Sequence, residues 1–253
     1  MTYPSDMRDK RWDLIKDHFD TGKYGKRLKY TKRELTNAVF YVIKTGCQWR
    51  FLPKEYPPWK TVYSFYMRAK SSGIWEKMMN DLVEKSRLKM GRNATPSYSL
   101  IDSQSVKTTD KAINRGIDGG KKIKGRKRHI VTDMQVHLLH VKVHAANIHD
   151  TVAGCSVFEE AIKKYPTLKG VCADAGYRKT MEEFVEKVLK KTIEISARIS
   201  AGWAILAKRW IVERTFAWRG HFRRLSKDYE IAIKSAENNV MIAHSMLLLR
   251  RFS

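Results

Sequence analysis

Three acidic residues have the right surroundings to bind metal ions and act on phosphate. Asp102 sits in Tyr98-Ser99-Leu100-Ile101-Asp102-Ser103, and Asp174 closes Gly170-Val171-Cys172-Ala173-Asp174. Glu213 sits in Arg209-Trp210-Ile211-Val212-Glu213-Arg214-Thr215-Phe216. The first two contexts read as strand ends and the third as a helix. Clustered carboxylates in a basic protein point to divalent cations, which hold carboxylates and phosphate oxygens in one site. Two such ions, about 3.5–4 Å apart, suit an in-line phosphoryl displacement. Other readings stay open on spacing alone. Glu213 shares a helix face with Arg209, and that surface pair would contribute only about 0.3–0.5 kcal/mol. Asp174 is followed by Ala-Gly-Tyr-Arg and could cap a helix. Asp150 is a further candidate for the second acid, although Asp174 follows an apolar strand.

The elements that must position these acids follow from periodicity. Thr31-Lys32-Arg33-Glu34 has capping-box spacing and opens a helix to Thr45, with Gly46 as its stop. Ser5 is placed to cap a helix through Met7, Trp12 and Phe19. Further helices are expected at Trp59–Ser71 and from Trp75 through Val83. From Ser97 the pattern changes. Ser97–Ser103, Arg128–Asp133, Val136–His144, Val171–Asp174 and Thr192–Ile195 read as strands. Asp150–Lys164, Arg178–Lys190, Lys208–Phe222 and Ser235–Arg251 read as helices. Lys107–Gly125 reads as a mobile polar loop. The order predicts a helical domain over 1–93 and a mixed α/β domain over 94–253. Ligand sites in such sheets lie beyond the carboxyl ends of strands, where Asp174 falls.

Charge narrows the partner. The 253 residues carry 50 Lys plus Arg and 26 Asp plus Glu, a formal net charge of +24. A polyanion relieves that self-repulsion, and nucleic acid is the leading candidate. A membrane surface is the runner-up, but no apolar run approaches the ~18 residues of a spanning helix and the N-terminus lacks a signal-peptide core, so no membrane partner is expected. Cys47, Cys155 and Cys172 lack CxxC spacing and read as reduced thiols of a cytoplasmic protein. Lys121, Lys122, Lys124, Arg126, Lys127 and Arg128 form a run placed to clamp phosphates beside Asp102; the alternative is a solvated basic loop. On duplex DNA each neutralised phosphate contributes about −0.9 to the log–log salt slope. His140, His144 and His149 are the wrong donors for magnesium, and their spread argues against zinc.

Five segments occur here in one order. They are Ile101-Asp102-Ser103; Gly119 through His129; His144-Ala145-Ala146-Asn147-Ile148-His149-Asp150; Ala173-Asp174-Ala175-Gly176-Tyr177; and Arg209 through Trp218. Together with Tyr3-Pro4-Ser5-Asp6 and Pro57-Pro58-Trp59-Lys60-Thr61-Val62-Tyr63, they closely resemble the DDE transposases of bacterial insertion sequences, in particular the five-type family. The resemblance covers nearly the whole chain. It implies a ribonuclease H-like mixed sheet with flanking helices, preceded by an all-α, helix-turn-helix-like DNA-binding domain. It maps the catalytic and metal-binding trio onto Asp102, Asp174 and Glu213, holding two Mg²⁺ or Mn²⁺ ions. Arg209 matches the family's Arg four residues before the Glu. Leu206 stands where a Tyr is expected and Gly220 where a basic residue is expected; Arg223 and Arg224 lie one turn further on. Lys60 and Arg68 fall on the expected reading helix.

The implied activity is cleavage of the element's terminal inverted repeats and joining of the 3′-hydroxyl to target DNA. A homodimer on double-stranded DNA, associated with the nucleoid, is expected. A catalytically inactive DNA-binding regulator and a host nuclease of the same fold are the competing functions.

Overall fold

A computed structural model of the chain describes residues 3–20, 29–196 and 207–252. Helix α1 (Asp9–Asp13) is short and a 3₁₀ turn follows at Lys16–Phe19. The helix expected from Ser5 onward is therefore broken. Asp6 N–H donates to the Tyr3 carbonyl at 2.9 Å, closing a turn first, and extended Arg8 takes the N-cap position instead. Helix α2 (Lys32–Thr45) starts as its sequence dictates. The Thr31 hydroxyl accepts from Glu34 N–H and the Glu34 carboxylate accepts from Thr31 N–H. Gly46 ends it at φ +73°, a conformation that favours glycine. Helices α3 (Trp59–Ser71) and α4 (Ile74–Lys89) complete the leading region.

The rest is a mixed α/β layer structure. Strands β1 (Tyr98–Lys107), β2 (Gly116–Asp118), β3 (Ile123–Thr132), β4 (Leu138–Ala145), β5 (Gly170–Ala173) and β6 (Thr192–Ile195) form one sheet among the described residues. Its path is β2-β3-β1-β5-β6, with β4 on β3. Strands β1, β3 and β4 pair antiparallel, and β5 and β6 join in parallel. Helix α5 (Asp150–Lys164) packs against β1, β3 and β4, while α8 (Ile233–Leu249) packs on β4 and on α4. Helix α6 (Thr180–Glu183) passes into a π-helical turn, Phe184–Val188, where one regular helix was expected. Helix α7 (Ala207–Gly220) packs against β1. This is a ribonuclease H-like mixed sheet preceded by a helical region. Both regions contribute to one hydrophobic core, in which Trp75, Met79 and Leu82 join Ile130, Leu138 and Ile242.

The segment expected to be a mobile loop, Lys107–Gly125, is tied down. Strand β1 runs on to Lys107, and β2 pairs with the start of β3. The Asp118 carboxylate accepts from the Ser105 hydroxyl at 2.5 Å and from the backbone N–H groups of Gly120 and Lys121. Gly125 is required there, because an added Cβ would lie 2.0 Å from the Val106 carbonyl oxygen.

Strand alternation also corrects the basic run. Arg126 and Arg128 point to one face of β3 and Lys127 to the other. Arg126 is fully buried. It pairs with Asp228 at 2.9 Å and donates to the carbonyls of Ile113, Glu230 and Ile231. Buried Arg128 donates to the carbonyls of Leu225 and Lys227. These two arginines fasten the 225–231 segment to the sheet, and neither faces a phosphate in this arrangement. Arg126→Ala leaves Asp228 buried without its cation, so it should destabilise the fold by about 3–5 kcal/mol in urea unfolding. A loss under about 1 kcal/mol would show that the pair does not hold the segment.

Candidate active site

The site begins with a register. Strand β1 pairs in parallel with β5 through Tyr98↔Gly170, Ser99↔Val171 and Leu100↔Cys172. Each pair is 72 residues apart, since 172 − 100 = 72, and 174 − 102 is also 72. Continuing the register by two residues sets Asp102 across from Asp174, just past the end of β5. Both line a cavity of about 210 Å³ with Lys121, Ser196 and Val212.

Each aspartate is held by its own backbone. Asp102 accepts from Ser103 N–H at 2.6 Å, and Asp174 accepts from Gly176 N–H at 2.8 Å, capping the turn Ala175–Tyr177. The capping reading of Asp174 is thus realised, and it leaves the carboxylate at the cavity. Burial pushes the Asp102 carboxyl up to about 7; the Ser103 N–H opposes this, Asp174 adds to it, Lys121 opposes it and Asp150 adds to it.

Glu213 stands differently. Helix α7 buries Ile211, Val212, Thr215 and Arg219, and Trp218 is half-buried. Glu213 is exposed beside Val212, which lines the aspartates' cavity. Among the described residues, no three His, Cys, Asp or Glu side chains gather closely enough to hold an ion. The structure therefore brings Asp102 and Asp174 together, and Glu213 is not among the residues lining their cavity. Arg209 lies on the backbone of α7, but its side chain falls outside the described residues, as does Leu206 entirely.

A supporting layer lies on the opposite face of β1. The Ser103 hydroxyl donates to Asp150 Oδ1 at 2.8 Å, and Lys127 Nζ reaches the same oxygen at 3.0 Å. Lys127 also donates to the Ile148 carbonyl and is buried, so its expected phosphate contact is replaced by an internal one. Tyr177 is buried, with its hydroxyl 2.6 Å from His129 Nε2, while His129 Nδ1 lies 3.1 Å from His144 Nε2. Burial, then the neighbouring His144, pushes His129 down to about 3, so the His129 ring is neutral near pH 7. The other histidines are engaged separately: His140 contacts Glu160 and Lys164, and His149 caps α5. Sequence reasoning did not find the Ser103–Asp150–Lys127 link. The signal was available in the alternation that puts Ser103 and Lys127 on one face.

The remaining predicted cations fall into two groups. Lys121, Lys122, Lys124, Lys60, Arg68 and Arg223 are exposed. Arg224 is half-buried and pairs with Glu230 at 2.7 Å.

Comparison with known proteins adds the family. Residues 7–79 match a family described as "Putative transposase of IS4/5 family", and residues 93–248 match "Transposase DDE domain". A Burkholderia cepacia protein, "Putative transposase for insertion sequence element IS402", is 33% identical over 120 residues. That match takes in 42% of this chain and 54% of the relative, so the chain spans about half of the relative's length. "Uncharacterized protein y4sN" of Sinorhizobium fredii (strain NBRC 101917 / NGR234) is 27% identical over 117 residues, covering 46% of this chain and 87% of that protein. The DDE-domain match alone takes in more than half of the sequence and contains both aspartates, the helix with Glu213 and the whole sheet: the chain belongs to the DDE transposases of insertion sequences.

Proposed function

We propose that this protein cleaves DNA at the ends of an insertion sequence and joins the freed 3′-hydroxyl to target DNA. The observation that carries the proposal is that Asp102 and Asp174, at corresponding ends of a parallel strand pairing, line one cavity with Lys121. The donor chemistry suits a divalent cation. Two carboxylates share one cavity, the buried one is hard to ionise alone, and both offer the hard oxygen atoms that Mg²⁺ or Mn²⁺ prefers. Asp102 and Asp174 would hold the ions, with Glu213 supplied from α7. When bound, the ions supply Lewis-acid activation of the attacking oxygen and stabilisation of the leaving one.

The protein's own groups position the reaction. Lys121 attracts the scissile phosphate into the cavity, and exposed Lys122 and Lys124 hold the neighbouring backbone. Ser103, fixed by Asp150 and Lys127, keeps the Asp102 carboxylate in place through its N–H. In the first step a water oxygen bonds to phosphorus and the 3′-oxygen leaves as a hydroxyl. In the second, that hydroxyl oxygen bonds to a target phosphorus and displaces the target's own 3′-oxygen. The first step consumes one water and neither needs a covalent enzyme intermediate. Lys60 and Arg68 on α3 are exposed and suited to duplex DNA. Joining two ends to one target implies a dimer on DNA, acting at the nucleoid.

Asp102→Ala should reduce magnesium-dependent nicking of the flanking repeats to background while leaving DNA binding intact. Retained nicking by the purified variant would refute the assignment. The same carboxyl links stability to pH. Its folded pKa lies above the ordinary 3.8, so the folded state keeps a proton that the unfolded chain releases between about pH 4 and 7. In chelator, wild-type melting temperature should fall across that window relative to Asp102→Asn, and Mg²⁺ should restore it at pH 8. Parallel pH profiles for the two proteins would contradict this. Replacing Lys121, Lys122 and Lys124 together with Gln should reduce the magnitude of the log–log salt slope on duplex DNA by about 2.7. An unchanged slope would remove these three lysines from the interface.

A further inference from the structure

A second concave surface lies away from the aspartates. It is a groove of about 460 Å³ between the start of α3 and the segment leading into α8. Trp49, Trp59, Tyr63 and Tyr229 line it, together with Arg50 and Arg224. Tyr63 and Tyr229 are 38% and 40% exposed, so part of each ring is open to solvent. The rings are braced from behind. Trp49 and Tyr63 meet edge-on at 5.3 Å, and Trp49 leans on buried Tyr66 at 5.1 Å. The cations are placed against the same rings. The Arg50 guanidinium lies 5.6 Å from the Trp59 ring, Lys60 Nζ lies 5.9 Å from it, and the Arg224 guanidinium lies 6.0 Å from Tyr229. The acid in the groove, Glu230, is held by Arg224 through both Nε and Nη2 at 2.7 Å. Arg50 and Lys60 therefore leave the rim positive.

We infer that this groove binds an unstacked nucleobase, with its flanking phosphate, from single-stranded or locally melted DNA. Flat aromatic faces take up a base of any sequence, and the adjacent cations take up its phosphate. A duplex keeps its bases stacked on one another and offers these rings nothing to stack on. The groove is tied to the catalytic strand. Thr108, just past β1, bridges to Asp228, and Asp228 N–H donates to the Lys107 carbonyl. Asp102 and Thr108 are six residues apart along the strand, about 20 Å at ~3.3 Å per residue. This inference rests on the proposed action on DNA and adds to it a place that holds an unpaired base.

The test compares a fluorescein-labelled 16-mer of thymidine with a labelled 16-bp duplex, measured by anisotropy on the full chain. Tyr229→Ala and Trp59→Ala should each weaken oligothymidine binding by about five-fold or more and change duplex binding less than two-fold. Tyr229→Phe keeps the ring and should bind like wild type, which separates stacking from a lost hydroxyl contact. Circular dichroism melting of each variant checks that it is folded, and Tyr229, on the surface, serves if Trp59→Ala does not fold. Equal losses on both probes, or no loss on oligothymidine, would overturn the groove while leaving duplex recognition standing. Failure of the wild-type chain to bind either probe would instead overturn the reading that it acts on DNA.

Discussion

The site depends on the parallel pairing of β1 with β5. A parallel pair cannot be joined by a tight turn, so the chain makes a long crossover through β3, β4 and α5 before returning. The pairing offset of 72 residues decides which side chains meet. A slip of one residue would send Asp102 to the α5 face and bring Ser103 beside Asp174. Buried apolar neighbours resist such a slip: Leu100, Ile101, Val171 and Cys172 all lie in the core. The placement of two like charges side by side is thus imposed by hydrophobic packing. Burial first, and the neighbouring Asp174 after it, raise the pKa of Asp102, and a bound cation would oppose both.

The basic charge has two uses. Part of it faces solvent on Lys121, Lys122, Lys124, Lys60, Arg68 and Arg223, where a polyanion can reach it. Part of it is internal, and there the partners are mostly main-chain carbonyls. Arg126 and Arg128 gather the 225–231 segment against β3, and Lys127 neutralises Asp150 beneath Ser103. The same eight-residue run is therefore exposed to solvent at its start and fastens the fold at its end. The boundary falls inside β3, between exposed Lys124 and buried Gly125.

Much of the fold was legible in the sequence, and the reasons are local. The Thr31 to Glu34 capping box, the Gly46 stop, the helix from Trp59 to Ser71 and that from Asp150 to Lys164 are written in neighbouring residues. So is the strand Thr192–Ile195. What local pattern misses is set by distant partners. Lys107–Gly125 is polar and glycine-rich, yet the Ser105 hydroxyl of β1 and the pairing of β2 with β3 order it. Arg126 looks like a surface cation until Asp228, 102 residues later, is placed against it. In the site, Asp174 was legible as an acid at the end of β5, whereas Asp102, read as a strand end, lies inside β1, which runs on to Lys107. The position of Glu213 was not legible, because it depends on how α7 seats on β1, and no pattern within the helix encodes that.

The most direct measurement of the central claim is anomalous diffraction from crystals of the wild-type protein grown with Mn²⁺. The account predicts a manganese peak within bonding distance of the carboxylates of both Asp102 and Asp174, with α7 carrying Glu213 toward it. Manganese bound only elsewhere, with those two carboxylates unligated, would contradict it.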